Sequence, residues 1–220
     1  GIVGGITRID TSSGRFFDSL INFDQVSKLA VAMGCAGLRI PLTVMGNNLS
    51  FRRSAYIDCG GFEGFTPSIV EDMALMNAII DETPYRVGWV TEPGGVVEST
   101  PEESLDVFLN QRKRWIHELG DLSMTGKAMI GTELLMVLNF IVMLFLSPLF
   151  PGQFVAVTTA WVAGYVFLLS ILPGHLKSDL SWIPFGLLFQ LYYAAVFVVK
   201  NLKGDKGVVW KGRVYGKSSS

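Results

Sequence analysis

Only two cysteines and two histidines occur among the 220 residues. Cys35 and Cys59 have no ligand-like spacing, and so few histidines spell out no Cys/His metal site. The expected state is a reduced thiol pair rather than a disulfide. No strongly basic domain is present, which excludes nucleic acid as an expected partner. The chain also lacks an initiator Met and a secretory leader. It opens Gly-Ile-Val-Gly-Gly, as if within a strand-and-turn region, so a fragment of a longer protein is expected.

Charged residues make up only 17% of the chain, hydrophobic ones 50%, and the mean hydropathy is +0.41. The excess is uneven. Residues 1–127 read as ordinary globular sequence and carry 11 basic against 16 acidic side chains, a net of −5. Residues 128–220 carry 7 against 3, a net of +4. Three apolar runs fill the second part, at about 132–150, 153–172 and 182–199. Each is long enough to cross a hydrocarbon core of roughly 30 Å at about 1.5 Å per residue. Few ionisable groups interrupt them, which disfavours a transport path. Three full spans would put the C-terminus on the far side from a cytosolic N-terminal part. Yet Lys200, Lys203, Lys206, Lys211, Arg213 and Lys217 favour a cytosolic tail, so either one run is re-entrant or interfacial or the charge rule is overridden here.

Within the first part, residues 23–33 have helical spacing, with Phe23, Val26, Leu29, Ala30 and Met33 on one face. Thr11-Ser12-Ser13-Gly14 reads as a turn, residues 42–52 as extended, and Gly60-Gly61 as tight backbone. A helix is expected from Ser68, with Ser68 and Glu71 forming a capping box and Ile69, Met73, Met76 and Ile80 buried. Residues 85–91 alternate like a strand. A second capped helix is expected from Thr100, with Pro101 at its first position and Glu103 closing the box. On it Leu105, Phe108, Leu109, Ile116 and Leu119 lie toward one side, whereas Gln111, Arg114, Trp115 and Glu118 share another.

Two of these segments carry chemistry. Asp72 sits in the first turn of its helix, where the helix dipole favours its charged, proton-accepting form; acidic residues also favour helix starts for structural reasons alone. In Gln111-Arg112-Lys113-Arg114-Trp115, the arginines offer planar donor forks suited to phosphate. Trp115 offers a flat face for a sugar ring. The same run equally suits a basic helix on acidic lipid headgroups, with Trp115 as interface anchor.

The pair Glu71-Asp72 followed by Gln111-x-x-Arg114-Trp115, ahead of apolar runs, resembles the membrane-bound inverting glycosyltransferases of family 2. That group includes cellulose, chitin and hyaluronan synthases and ceramide glucosyltransferases. Val70 stands where Thr is common. Gly46-Asn47-Asn48-Leu49-Ser50-Phe51-Arg52-Arg53, Gly60-Gly61-Phe62 and Trp210-Lys211-Gly212-Arg213-Val214-Tyr215 are softer matches. The resemblance spans nearly the whole chain but only the later motifs. The family's Asp-x-Asp and its nucleotide-side acid are not recognisable, since Asp10 and Asp18 lack that context. Truncation just after Asp-x-Asp is the simpler account and a degenerate enzyme the other.

The resemblance implies an α/β fold: the C-terminal half of a GT-A, Rossmann-like catalytic domain over residues 1–100. An interfacial helix would follow over 101–127, transmembrane helices over 128–200 and a basic tail over 201–220. It implies Asp72 as general base. Gln111, Arg112 and Arg114 would bind the leaving diphosphate, and Trp115 would form the floor under the acceptor sugar. Glu71 either orients Asp72 or caps its helix; Asn47 and Asn48 either bind acceptor hydroxyls or shape a turn. Many members carry a small residue soon after the Trp, where this chain has Ile116-His117-Glu118, and His117 reads as a packing or surface residue. The implied donor is a nucleotide sugar and the acceptor a glycan or lipid. A divalent cation, Mg or Mn, is implied in the full-length protein, its ligands outside this chain. The implied setting is an integral membrane protein with the catalytic part cytosolic, in the plasma (inner) membrane if the source is bacterial. The rival is a non-catalytic membrane anchor or scaffold.

Overall fold

The structure, a computed structural model, describes residues 1–64, 68, 70–117, 124–170, 172–174, 181–202, 208–210 and 213–215. The fold is mixed α/β and mostly helical. Strand β1 (Ile2–Gly5) lies at the centre of a three-stranded sheet, antiparallel to β3 (Leu49–Phe51) and parallel to β4 (Val87–Val90). After Ile6 the chain continues as β2 (Thr7–Ile9), which changes partner and pairs in parallel with β5 (Val97–Ser99). Asn48 closes the gap at that change: its side-chain amide donates to the carbonyls of Ile6 and Gly95, both at 2.9 Å.

Helix α1 (Phe16–Gly37) carries the expected apolar spacing but is longer than the pattern that revealed it. It is buried nearly all round, as a core helix must be, because it packs on β2 and β4 on one side and on two later helices on the other. Those are α6 (Pro151–Ser170) and α7 (Ile183–Leu202). Phe23, Val26, Leu29 and Ala30 form one core with Phe140, Trp161, Leu169, Ile183 and Leu187. Gly186 permits this approach: a Cβ there would stand 2.0 Å from a ring carbon of Phe23.

The helix carrying Asp72, α3 (Glu71–Glu82), starts three residues later than its sequence signal. The Ser68 hydroxyl accepts the Val70 N–H at 2.9 Å instead of capping the helix, a local bond that competes with a box. Met73 and Met76 are buried as expected, joined by Leu75 and Ile79; Ile80 is partly buried, and Ile69 lies outside the described residues. Likewise α4 (Leu105–His117) starts after Ser104, not at Thr100. Residues up to Ser99 stay in β5, whose last carbonyl accepts the Asp10 N–H at 2.9 Å. On α4, Phe108 and Leu109 are buried against Leu20 and Ile21 of α1 and Phe189 of α7. Leu119 and Glu118 lie outside the described residues.

The remaining elements are α2 (Arg53–Asp58), α5 (Met124–Leu146) and the antiparallel pair β6 (Val208–Trp210) and β7 (Arg213–Tyr215). The 42–52 segment is only partly strand, with a 3-10 turn at Gly46–Asn48. The Gly60-Gly61 reading holds: both are in the left-handed region, at φ 80° and 61°. Cys35 and Cys59 are buried free thiols.

Three spans were expected. Among the described residues, one helix, Pro151–Ser170, is long and apolar enough to cross a membrane; Val137–Leu146 and Ile183–Val196 are shorter apolar stretches. Within α7, Gln190 and Tyr193 face α1 and bond there.

Candidate active site

The acidic motif and the Gln-x-x-Arg-Trp motif, some 40 residues apart in sequence, line one cleft of about 280 Å³. Glu71 and Asp72 enter it from the first turn of α3, and Gln111, Arg112, Arg114 and Trp115 from α4. Asn47, Ser99 and Thr100 close it from the sheet side. Trp115 also packs on the core that contains Val70 and Met73, which ties α4 to the start of α3.

Asp72 is held by the backbone. Its Oδ2 accepts the Gly46 N–H at 2.6 Å, and its Oδ1 accepts the Met73 N–H at 2.9 Å. Burial raises its pKa above the ordinary carboxylate value, aided by the adjacent Glu71 and opposed by the two amide bonds. The helix-start argument anticipated the amides but not the desolvation, which wins here. The result is a carboxylate with a stronger hold on a proton than an exposed one.

The residues of the second motif divide. Gln111 donates to Glu102 at 2.6 Å and accepts from Arg112 Nη1 at 2.9 Å. Arg112 is 3% exposed, and its Nε and Nη2 both donate to Asp24 Oδ2, at 2.9 and 2.6 Å. Its guanidinium is layered between Phe108 and Trp115, 4.5 and 4.1 Å from their ring centroids. So engaged, the guanidinium ties α4 to α1 where it lines the cleft. Arg114 and Trp115 are half-buried on the cleft wall.

The two asparagines also divide. Asn47 is exposed at the cleft, accepting from Thr7 Oγ1 at 3.0 Å and donating to Ser99 Oγ at 2.7 Å. Asn48 is committed to the sheet as described, and the turn role is the one its bonds fit. Glu71 is the first residue of α3 and is exposed at the cleft.

Sequence reasoning missed Asp24, Gln25, Glu102 and Ser99. Asp24 is fully buried and accepts from Arg112, Lys28, Tyr193 at 2.8 Å and Gln190 at 3.2 Å. Burial opposes its charge, but Lys28 and Arg112 outweigh that and hold its carboxyl well below the ordinary range. A charge inside the apolar spacing of residues 23–33 was the available signal.

Among the described residues no group of His, Cys, Asp and Glu gathers to hold a metal ion. Asp10 is engaged by the Ser12 N–H, and Asp18 by Arg15 and Ser13. The residues present therefore do not fit the implied cation. A larger depression on α6, about 690 Å³, is lined by Thr158, Thr159, Val162, Ala163, Val166, Phe167 and Ser170, with nothing there to bind or move a proton.

Residues 5–198 match the model of the family described as glycosyl transferase family group 2. No curated protein and no solved structure matches. The chain belongs to this glycosyltransferase family, which supports sugar transfer as its general activity. The mixed α/β fold is consistent with a GT-A-like domain.

Proposed function

We propose that the cleft between α3 and α4 transfers a sugar, with inversion, from a nucleotide sugar to a glycan or lipid acceptor at the cytosolic face of a membrane. The observation that carries this reading is the convergence of Asp72 with Arg114 and Trp115 in one cleft. Asp72 is the general base: its backbone bonds fix the carboxylate, and its raised pKa suits proton transfer near neutral pH better than an exposed carboxylate would. The acceptor oxygen bonds to the anomeric carbon as the bond to the leaving phosphate oxygen breaks. The acceptor proton passes to Asp72, and the nucleoside diphosphate leaves with the electron pair. Arg114 meets the growing negative charge, and Trp115 lies under the acceptor ring.

The cleft is small against ligand pockets of about 300–1,000 Å³, which suits the end of an acceptor better than a whole nucleotide sugar. Group 2 glycosyltransferases often use a divalent cation; the described residues do not gather to hold one, and no step here runs through it. Residues 1–100 are read as part of a GT-A domain and 101–127 as an interfacial helix. The apolar outer faces of α5, α6 and α7 support a membrane setting, with Phe145 79%, Phe167 70% and Leu188 64% exposed.

The test is transfer itself. Membranes containing the full-length protein are incubated in turn with labelled UDP-glucose, UDP-N-acetylglucosamine and GDP-mannose. Label entering lipid or polymer above the level of control membranes is expected from one of these donors. Control-level incorporation from all three, with the protein folded, contradicts the reading and favours a membrane scaffold.

A further inference from the structure

Asp24 lies behind the cleft yet joins three helices directly and a fourth through Gln190. Its Oδ2 takes both donors of Arg112 on α4, and its Oδ1 takes Lys28 of α1 together with Tyr193 and Gln190 of α7. Gln190 in turn accepts from Tyr165 of α6 at 2.9 Å and donates to Ser27 at 3.2 Å. On the other side of the network, Arg112 lies flat on Trp115 and donates to the Gln111 carbonyl oxygen. A continuous polar chain therefore runs from α6 and α7 to the wall of the cleft, with its central carboxylate fully buried.

This is a costly way to hold helices together. Buried ion pairs often contribute little net stability compared with apolar packing of the same shape. The aromatic layer of Phe17, Phe108, Phe189 and Tyr193 already binds α1, α4 and α7. What the charges add is direction. A guanidinium with both donors on one oxygen cannot rotate without breaking a bond, and Trp115 rests on its face.

We propose that Asp24 is a positioning residue, which acts through Arg112 to fix Trp115 and Gln111 at the cleft and is itself held by Tyr193 and Gln190 of α7. The inference rests on the sugar-transfer reading of that cleft. It makes the docking of α7 part of the site's geometry, although α7 contributes no side chain to the cleft wall.

A double-mutant cycle tests it, using the full-length protein in membranes and the initial rate of label transfer from whichever of the three nucleotide sugars supports it. The variants are Asp24→Asn, Trp115→Ala and the pair. If Asp24 acts through Trp115, Asp24→Asn should lower the rate about 30-fold alone but less than about threefold in the Trp115→Ala background. A purely structural residue would lower the rate by the same factor in both backgrounds, and that result overturns the inference while leaving the sugar-transfer reading intact. Wild-type transfer by Trp115→Ala would overturn the inference and the role given to Trp115, leaving sugar transfer itself standing. Should Asp24→Asn fail to accumulate, Tyr193→Phe replaces it in the cycle. It keeps the ring in its aromatic layer and removes one donor to Asp24, with about a threefold loss expected that vanishes in the Trp115→Ala background. A Tyr193→Phe rate equal to wild type, or an equal loss in both backgrounds, overturns the inference.

Discussion

The Gly46 N–H donates to Asp72 Oδ2 at 2.6 Å, and a Cβ on Gly46 would stand 3.0 Å from that same oxygen and 3.3 Å from Asp72 Cβ. The bare backbone of residue 46 thus holds the carboxylate at one distance, and a side chain there would press on it. Gly46→Ala is expected to displace the Asp72 carboxylate by a few tenths of an ångström. Misplacing a catalytic group by about 1 Å can cost about 100-fold, so transfer should fall by roughly tenfold, with the unfolding temperature little changed. Initial rates and a thermal melt of the same preparation check this.

Asp72 also predicts the pH dependence of transfer. The base works only when ionised, and burial raises its pKa above the ordinary aspartate value of about 3.9. The acid limb of the pH–rate profile should lie above that value; a rate still undiminished near pH 4 would contradict the assignment. The sign for stability is opposite. A raised folded-state pKa means the protonated form favours folding, so this contribution is present below the unfolded-state pKa and is lost as pH rises through the folded one.

The two arginines of the motif should separate in their effects. Arg112→Ala leaves the buried Asp24 carboxylate with Lys28 alone among the cations that pair with it here, and breaking a buried pair costs about 3–5 kcal/mol of stability. Arg114→Ala acts on the cleft wall, and should lower the transfer rate with little loss of stability. Thermal unfolding alongside rate measurements distinguishes the two; a stable Arg112→Ala protein would contradict the clamp role.

Gly186 marks where α7 meets α1. A Cβ at that position would overlap the Phe23 ring, which is 1% exposed. Gly186→Leu is expected to separate the two helices and destabilise the protein by about 1–3 kcal/mol or more, as overpacking a core does. Loss of protection of Phe23 and its neighbours in hydrogen exchange would show that separation directly.

Much of this site was legible because its parts are local. The i, i+3, i+4 spacing of Gln111, Arg114 and Trp115 sets a helix face wherever the helix begins, and that face does line the cleft. Helix starts were misread because nearby alternatives captured the capping groups. At the first of them, Ser68 turned to Val70. Asp24 was harder to read for a different reason, although its charge stands inside the apolar spacing of residues 23–33. Beside Lys28 it resembles a surface i, i+4 pair; its burial depends on Arg112, 88 residues away, and Tyr193, 169 residues away. The Asp24 partner of Arg112 was missed with it, since a donor fork carries no mark of which acid will reach it.

The central claim is that Asp72 takes the acceptor proton, and the measurement that tests it most directly is sugar transfer by Asp72→Asn in the full-length protein. Asn keeps the size of the side chain and loses the base. Transfer should fall by at least the roughly 100-fold that a general base contributes, while expression, membrane recovery and thermal unfolding stay close to wild type. Transfer at the wild-type rate by a folded Asp72→Asn protein would contradict the account.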